Sequence, residues 1–470
     1  MIRSAAIVIV IAALAGAAAP QAPERVSADQ AGLGYEITVY NQNMGLVKDR
    51  RSIELKDGIN MLEFSDVAAQ IDPTSVHFKS LTAPDEVSIL EQNYKYDLVS
   101  TEKILAKYLG KRIRIRQRLD KEERVLEGTL MSAAGGTVLK TDEGIVLNPA
   151  GQIELPDLPE GLIVKPTLVW MLDSGRAGKH DAEVSYITNG LNWHCEYVTV
   201  VNQDDSALDL TGWVTIDNQS GASYKNAGLK LIAGDVHRVQ EREKLAPPVE
   251  LRARAGAGPA APQFEEKAFF EYHMYTLGRR TDVMDNETKQ MTLLSASDVQ
   301  AKKVFVYDGG RAGWYGGDTS EQNKVRVMLE FKNAKEYNLG MPLPKGKIRV
   351  YKADQDGSLQ FVGEDLIDHT PKDEKLRVFL GNAFDLVGER ARMNFSQVSD
   401  RVIEEDYEIK LRNHKDATVT ITVVEHYWGD WKILSSNFDY VKKDAHTAEF
   451  PIEVKPNEEV VLKYSVRTTY

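Results

Sequence analysis

One stretch constrains the fold more than any other. From Ser185 to Val236 the side chains alternate in polarity, and turn residues precede each alternating run. Asn189-Gly190 is a turn signal, because glycine takes positive φ without steric cost. Beyond it Trp193, Cys195 and Tyr197 fall on one face of a strand, and His194 and Glu196 fall on the other. The aromatic face is the expected core. In the next run Leu208, Leu210, Gly212, Val214 and Ile216 share one face, while Asp209, Thr211, Trp213, Thr215 and Asp217 share the other. Asn218-Gln-Ser-Gly221 closes that strand, and Leu229, Leu231 and Ala233 begin a third. Antiparallel strands with one packed face give this pattern. Cys195 is the chain's only cysteine. It has no disulfide partner within the chain, and its place on the aromatic face predicts a buried, inert thiol.

The same alternation recurs on both sides. Tyr35–Tyr40, Leu46–Leu55 and Asn60–Phe64 read as strands, with Asp57-Gly58 as a hairpin signal. One helix stands out. Ser100 is its N-cap, Glu102 lies in its first turn, Ile104, Leu105, Tyr108 and Leu109 form its apolar stripe, and Gly110 stops it. Short strands with glycine turns follow over 110–155, the pattern of a small SH3-like barrel. Such barrels bind RNA or peptides, but the alternation of arginines with Ile113 and Ile115 equally suits the solvated face of an edge strand. From Tyr407 onward Ile409, Leu411, Val419, Ile421, Val423, Phe450, Ile452, Leu462 and Tyr464 mark strands of an immunoglobulin-like sandwich. The predicted fold class is mainly β: antiparallel β-sandwiches in several modules, a small barrel-like module and few helices. The expected domains are 24–155, with the barrel-like module nested in it, then 160–400 and 401–470. A flexible excursion over 239–263, rich in Ala, Gly and Pro, interrupts the central one.

Several motifs in order resemble a known family. They are Tyr186-x-x-x-Gly190-Leu-x-Trp193-x-x-x-Tyr197, the run Leu210-Thr-Gly-Trp213 to Gly221, Phe270–Leu277, Asn286–Leu293, and Asn413-His-Lys415 with Glu425 downstream. The chain is similar over roughly 35–470 to the bacterial domain-of-unknown-function family 4139, which has mucoidy inhibitor A-like relatives. That resemblance implies Tyr186, Gly190, Trp193, Tyr197 and Trp213 as structural motif residues. It implies no activity.

Residues 1–17 read as a secretory signal. Arg3 gives the basic start, Ala5–Leu14 an apolar segment too short to span a membrane, and Ala15-Gly-Ala17 a cleavage site. The expectation is an exported protein, periplasmic, with no transmembrane span once cleaved. The net charge of −12 argues against a nucleic-acid partner, which needs a clustered basic surface.

Catalytic signatures are scarce. The sequence has no Gly-x-Ser-x-Gly elbow, no His-Glu-x-x-His, no cysteine cluster and no Asp-x-Asp-x-Asp-Gly loop. Ser220 and Ser223 read as polar turn residues. His194 with Glu196, and Glu271 with His273, are i, i+2 pairs. On neighbouring strands they would converge on one metal or acid–base site; otherwise each is a solvated sheet face. Trp314 and Tyr315, set among glycines in Asp308–Asp318, are candidates for touching a protein partner or a glycan, or else mark a long hairpin loop. The expectation is therefore a non-catalytic envelope interaction or scaffold protein without a cofactor. The alternative is a periplasmic enzyme or binding protein for a glycan or peptide. Oligomeric state is left open.

Overall fold

A computed structural model describes residues 25–27, 34–119, 122–234, 236–237, 263–309, 323–354 and 356–470. The signal at 1–17, the excursion over 239–262, and Trp314 and Tyr315 lie outside them. In chain order the first elements are β1 (Arg25–Ser27), β2 (Gly34–Tyr40), β3 (Met44–Leu55), β4 (Gly58–Ser65), β5 (His77–Ser80), β6 (Val87–Lys95) and helix α1 (Thr101–Lys107). Then come β7 (Arg112–Leu119), β8 (Glu122–Ser132), β9 (Val138–Thr141), β10 (Gly144–Leu147), β11 (Gln152–Glu154), β12 (Thr167–Ser174) and β13 (Gly178–Asn189). The alternating stretch from Ser185 to Val236 supplies β14 (Leu191–Val201), β15 (Ala207–Asn218) and β16 (Tyr224–Ala233). Next are β17 (Phe264–Phe269), β18 (Tyr272–Leu277), β19 (Thr281–Val283), β20 (Glu287–Tyr307), β21 (Lys324–Lys332), β22 (Gly346–Ala353), β23 (Leu359–Ile367) and β24 (Lys375–Ser399). The last are β25 (Val402–Asn413), β26 (Val419–His426), β27 (Asp430–Ser436), β28 (Val441–Lys442), β29 (Thr447–Val454) and β30 (Glu458–Thr469). The fold is mainly β, as the alternation predicts.

The chain forms two compact units. One comprises the described residues up to Tyr35 together with Lys48–Tyr186, and the other Glu36–Val47 with Ile187–Tyr470. The chain passes between them inside β2, β3 and β13, where the sequence offers no linker.

In the first unit β1-β4-β12-β6 forms one layer, and β13 with β5 belongs to another. Trp170 of β12 is fully buried between Phe64 and Phe78, with ring centroids 5.9 and 5.3 Å away. Its indole N–H donates to Gln92 at 2.9 Å, so the large apolar ring leaves no polar atom unpaired. The barrel-like module is an open antiparallel sheet of order β10-β9-β8-β7-β11, closed by α1 rather than by further strand pairing. Ser100 accepts from the Lys103 amide at 3.2 Å and caps that helix. Ile113 and Ile115 point into the small core, while Arg114 and Arg116 pair with Glu127 and Glu154. The edge-strand reading of these arginines is corrected, because β7 lies between β8 and β11. Their face is solvated but paired.

In the second unit, β14 sits between antiparallel β15 and parallel β22. Trp193, Cys195 and Tyr197 are buried, as the alternation predicts, and His194 and Glu196 face away. The buried indole of Trp193 donates to Ile232 of β16 and packs edge-on to Tyr275 of β18, so the β14 sheet packs on the β16–β18 layer. Two long strands link the central sheet to the C-terminal sandwich. β20 pairs β15 over Glu287–Gln300, then β21 over Ala301–Tyr307 and β26 over Phe305–Tyr307. β24 pairs β21 up to Val387, then β25 over Leu386–Ser399. Shared strands leave no clean boundary near residue 400. The C-terminal core comprises Tyr307, Tyr407, Ile409, Ile421, Phe450, Leu462 and Tyr464, among others. Among the described residues no helix is long and apolar enough to cross a membrane.

Candidate functional site

The family-like motif residues build the architecture. Gly190 has φ of 78° and makes the β13–β14 turn. The Tyr186 hydroxyl accepts from the Ala68 amide, and the Tyr197 hydroxyl donates to the Pro344 carbonyl at 2.7 Å. Trp213 is half-buried on the outer face of β15. Asn218 is buried, donates to the Ala222 and Val283 carbonyls and accepts from Ser220. Asn413 does the same for the β25–β26 turn, donating to Ala417, Val454 and Lys455 and accepting from Lys415. Each side-chain amide satisfies backbone groups that a turn would leave unpaired.

The two His–carboxylate pairs do not converge, because they do not lie on neighbouring strands. β14 pairs β15 and β22, whereas β18 pairs β16 and β17. Glu271 is not on a strand at all. Phe270 and Glu271 form the two-residue turn of the β17–β18 hairpin, with Phe270 at φ of 56°. His273 pairs with Glu266 at 2.7 Å. His194 lies 3.9 Å from Asp217. Glu196 accepts from Arg349 and Gln290 in a partly solvated network. Among the described residues no three His, Cys, Asp or Glu side chains are grouped to hold a metal ion. Burial raises the Cys195 thiol to about 12, so it carries almost no thiolate at neutral pH. Ser80 and His180 touch at 3.1 Å and are buried, but the other ring nitrogen of His180 meets the Arg176 carbonyl. Without a carboxylate behind the imidazole, this contact orders a turn and is not a charge-relay pair.

The site that stands out lies at one end of the C-terminal sandwich. At its root, Arg390 of β24 donates from Nε and Nη2 to Glu425 of β26 at 2.9 and 2.8 Å. Glu425 is fully buried and also accepts from the Tyr464 hydroxyl at 2.6 Å. Arg390 lies over the Tyr407 ring at 3.9 Å. Burial pulls the Arg390 guanidinium down, but the charge and hydrogen bonds of Glu425 outweigh it and hold it well above its ordinary value. The cluster ties β24, β25, β26 and β30 together across both layers.

Beyond that root the sheet overhangs its partner layer. Tyr407 and Glu405 share a face of β25, and Phe395 stands opposite Glu405, so Phe395 continues the inner face that carries the core lower down. Yet Phe395 is 51% exposed. Met393 and Val398, also exposed, are the extra residues of two bulges in β24. From Glu389 to Ser399 the outer edge of β24 has no strand partner among the described residues. Trp428 and Tyr470 are exposed at the same end, since Asp430 pairs Thr469, which pairs Val402 beside the hairpin tip. The sequence hid this patch because its residues lie on three separate segments.

A family model described as domain of unknown function (DUF4139) matches residues 182–470, more than half of the chain. The chain belongs to the DUF4139 family. The match covers nearly all of the second unit, including β14 and the overhanging sandwich, and is narrower than the 35–470 that the motifs suggest. The description of DUF4139 carries no activity, so residue roles rest on geometry. No curated protein matches the chain.

Proposed function

We propose that this DUF4139 protein is an exported, non-catalytic interaction or scaffold protein of the cell envelope, working in the periplasm. The export reading is supported by the basic, then apolar, then small-residue pattern of residues 1–17. The interaction reading is carried by one observation: exposed Met393, Phe395, Val398, Trp428 and Tyr470 lie at an end of the sandwich that no other described residue covers. Aromatic residues and methionine are the types enriched at interface centres. A bare inner sheet face is also the surface that a second layer would otherwise cover. The bulges at Met393 and Val398 twist and interrupt the β24 edge, which limits strand addition. Docking of side chains into a partner surface is the mode that suits this patch, with Arg392 and Glu405 as its polar rim.

The test is osmotic-shock fractionation followed by size-exclusion chromatography of the released protein. The reading predicts release with the periplasmic fraction, elution in a complex, and dissociation of that complex in Phe395→Asp. Retention in the cytoplasm, or an elution volume unchanged by Phe395→Asp, contradicts it.

A further inference from the structure

The central sheet of the second unit carries a second feature, independent of the sandwich end. In the strand order β23-β22-β14-β15-β20-β21-β24, five strands separate the edge strand β23 from β24, yet these two meet. The Asp365 carboxylate of β23 accepts from the Phe379 amide of β24 at 2.7 Å. A Cβ on Gly363 would sit 2.3 Å from the Leu380 carbonyl oxygen, so the two backbones touch where only glycine fits. The sheet therefore rolls up without ladder pairing at the seam. Within the roll lies a cavity of about 250 Å³, lined by Val201, Val327, Leu329, Val362 and Leu380 on its apolar side. Its polar side is Asp205, Lys303, Lys352 and Asn382.

The charge arrangement is asymmetric. Lys303 donates to one oxygen of Asp205 and Lys352 to the other. Burial raises the Asp205 carboxyl, but the two lysines outweigh it and keep it below its ordinary value. One carboxylate thus faces two ammonium groups. Each ammonium has three donors and spends one on Asp205, and both lysines remain about a third exposed. The unspent donors and the net positive charge sit at the mouth of an apolar chamber.

The geometry points to a binding site for a small anionic amphiphile: a carboxylate or phosphate head on Lys303 and Lys352, with an unbranched apolar tail between Val201, Val327, Leu329 and Leu380. The apolar walls reward the tail. The lysines reward a single anionic head and reject a cationic one. Asp205 competes with the ligand head for the same donors.

Calorimetric titration of the mature full chain tests this with octanoate, octyl phosphate, octylamine and acetate. Octanoate or octyl phosphate binds, and the comparison of the two identifies the preferred head. Octylamine lacks the anion and acetate lacks the tail, so both bind at least tenfold more weakly. Lys303→Met and Lys352→Met each weaken octanoate about tenfold, the loss of one charge-assisted hydrogen bond of about 1.4 kcal/mol. Asp205→Asn tightens it, since it frees both lysines. Asn also tolerates the left-handed backbone at this position, where φ is 62°. Val362→Phe, on a partly exposed bulge of β23, blocks the tail without touching the head. Thermal unfolding of each variant confirms that it folds. Equal binding of octylamine and octanoate, equal binding of acetate, or no binding of either octyl anion to the folded wild type overturns the proposal.

Discussion

Arg390 and Glu425, 35 residues apart, form a two-point ion pair inside the C-terminal sandwich, with Glu425 fully enclosed. The pair holds the root of the overhanging sheet against the opposite layer. Removing one partner leaves the other charged group buried without its partner, which costs about 3–5 kcal/mol. Arg390→Met and Glu425→Leu are each expected to lower the urea midpoint accordingly, whereas the double variant Arg390→Met, Glu425→Leu loses less than the two single losses added. Additive losses in this cycle contradict a coupled pair.

The tyrosines around Glu425 divide by their hydroxyls. Tyr464 donates to Glu425, while the buried hydroxyls of Tyr307 and Tyr427 have no hydrogen-bond partner among the described residues. Losing a hydrogen bond to a charged acceptor costs about 1.5–3 kcal/mol, and removing an unpaired buried hydroxyl costs little or stabilises. Tyr464→Phe is therefore expected to destabilise, and Tyr307→Phe and Tyr427→Phe to be neutral or stabilising, by chemical denaturation. The reverse order would contradict the assigned hydrogen bonds.

Gly388 of β24 supports the same region by its lack of a side chain. A Cβ there would come within 2.2 Å of the Tyr307 ring. Gly388→Ala is expected to cost about 1–3 kcal/mol as overpacking. In a Tyr307→Ala background the added methyl should cost much less. An equal cost in both backgrounds contradicts the steric account.

Much of this architecture can be read from the residues. Alternation alone puts Trp193, Cys195 and Tyr197 inside and His194 outside, because a strand's period of two leaves no choice once one face is apolar. Ser100 announces its helix through its own hydroxyl. Parallel pairings such as β14 with β22 and β20 with β26 leave no local trace, since both strands look the same whichever neighbour they take. The turn at Glu271 leaves no signal in the sequence, because it uses Phe270 at positive φ where Gly or Asn would announce it. The Arg390–Glu425 pair, the lysine-lined cavity and the exposed patch each join residues distant in sequence, and nothing in their own segments marks the partner.

Glu330 gives the pH dependence a sign. Burial raises its carboxyl, but hydrogen bonds and charge from Lys375 and Arg377 prevail and hold it below its ordinary value. A depressed folded value means stability present above the unfolded value, about 4.3, and lost as pH falls through the folded one. Glu330→Gln is thus expected to lower Tm at pH 7, and its gap to the wild type should close as the pH falls below that range. A gap that is constant from neutral to acid pH contradicts the linkage.

The contact surface is tested most directly by placing a photoreactive amino acid at Phe395, at Trp428 and, as a control on the opposite face, at Lys463, in the full-length protein inside cells. The account predicts a discrete adduct from positions 395 and 428, recovered with the periplasmic fraction and absent from 463. It also predicts that Tyr470→Asp, with the probe at 395, abolishes that adduct. No adduct at 395 and 428, or the same adducts at 463, would contradict a partner seated on the overhanging sheet.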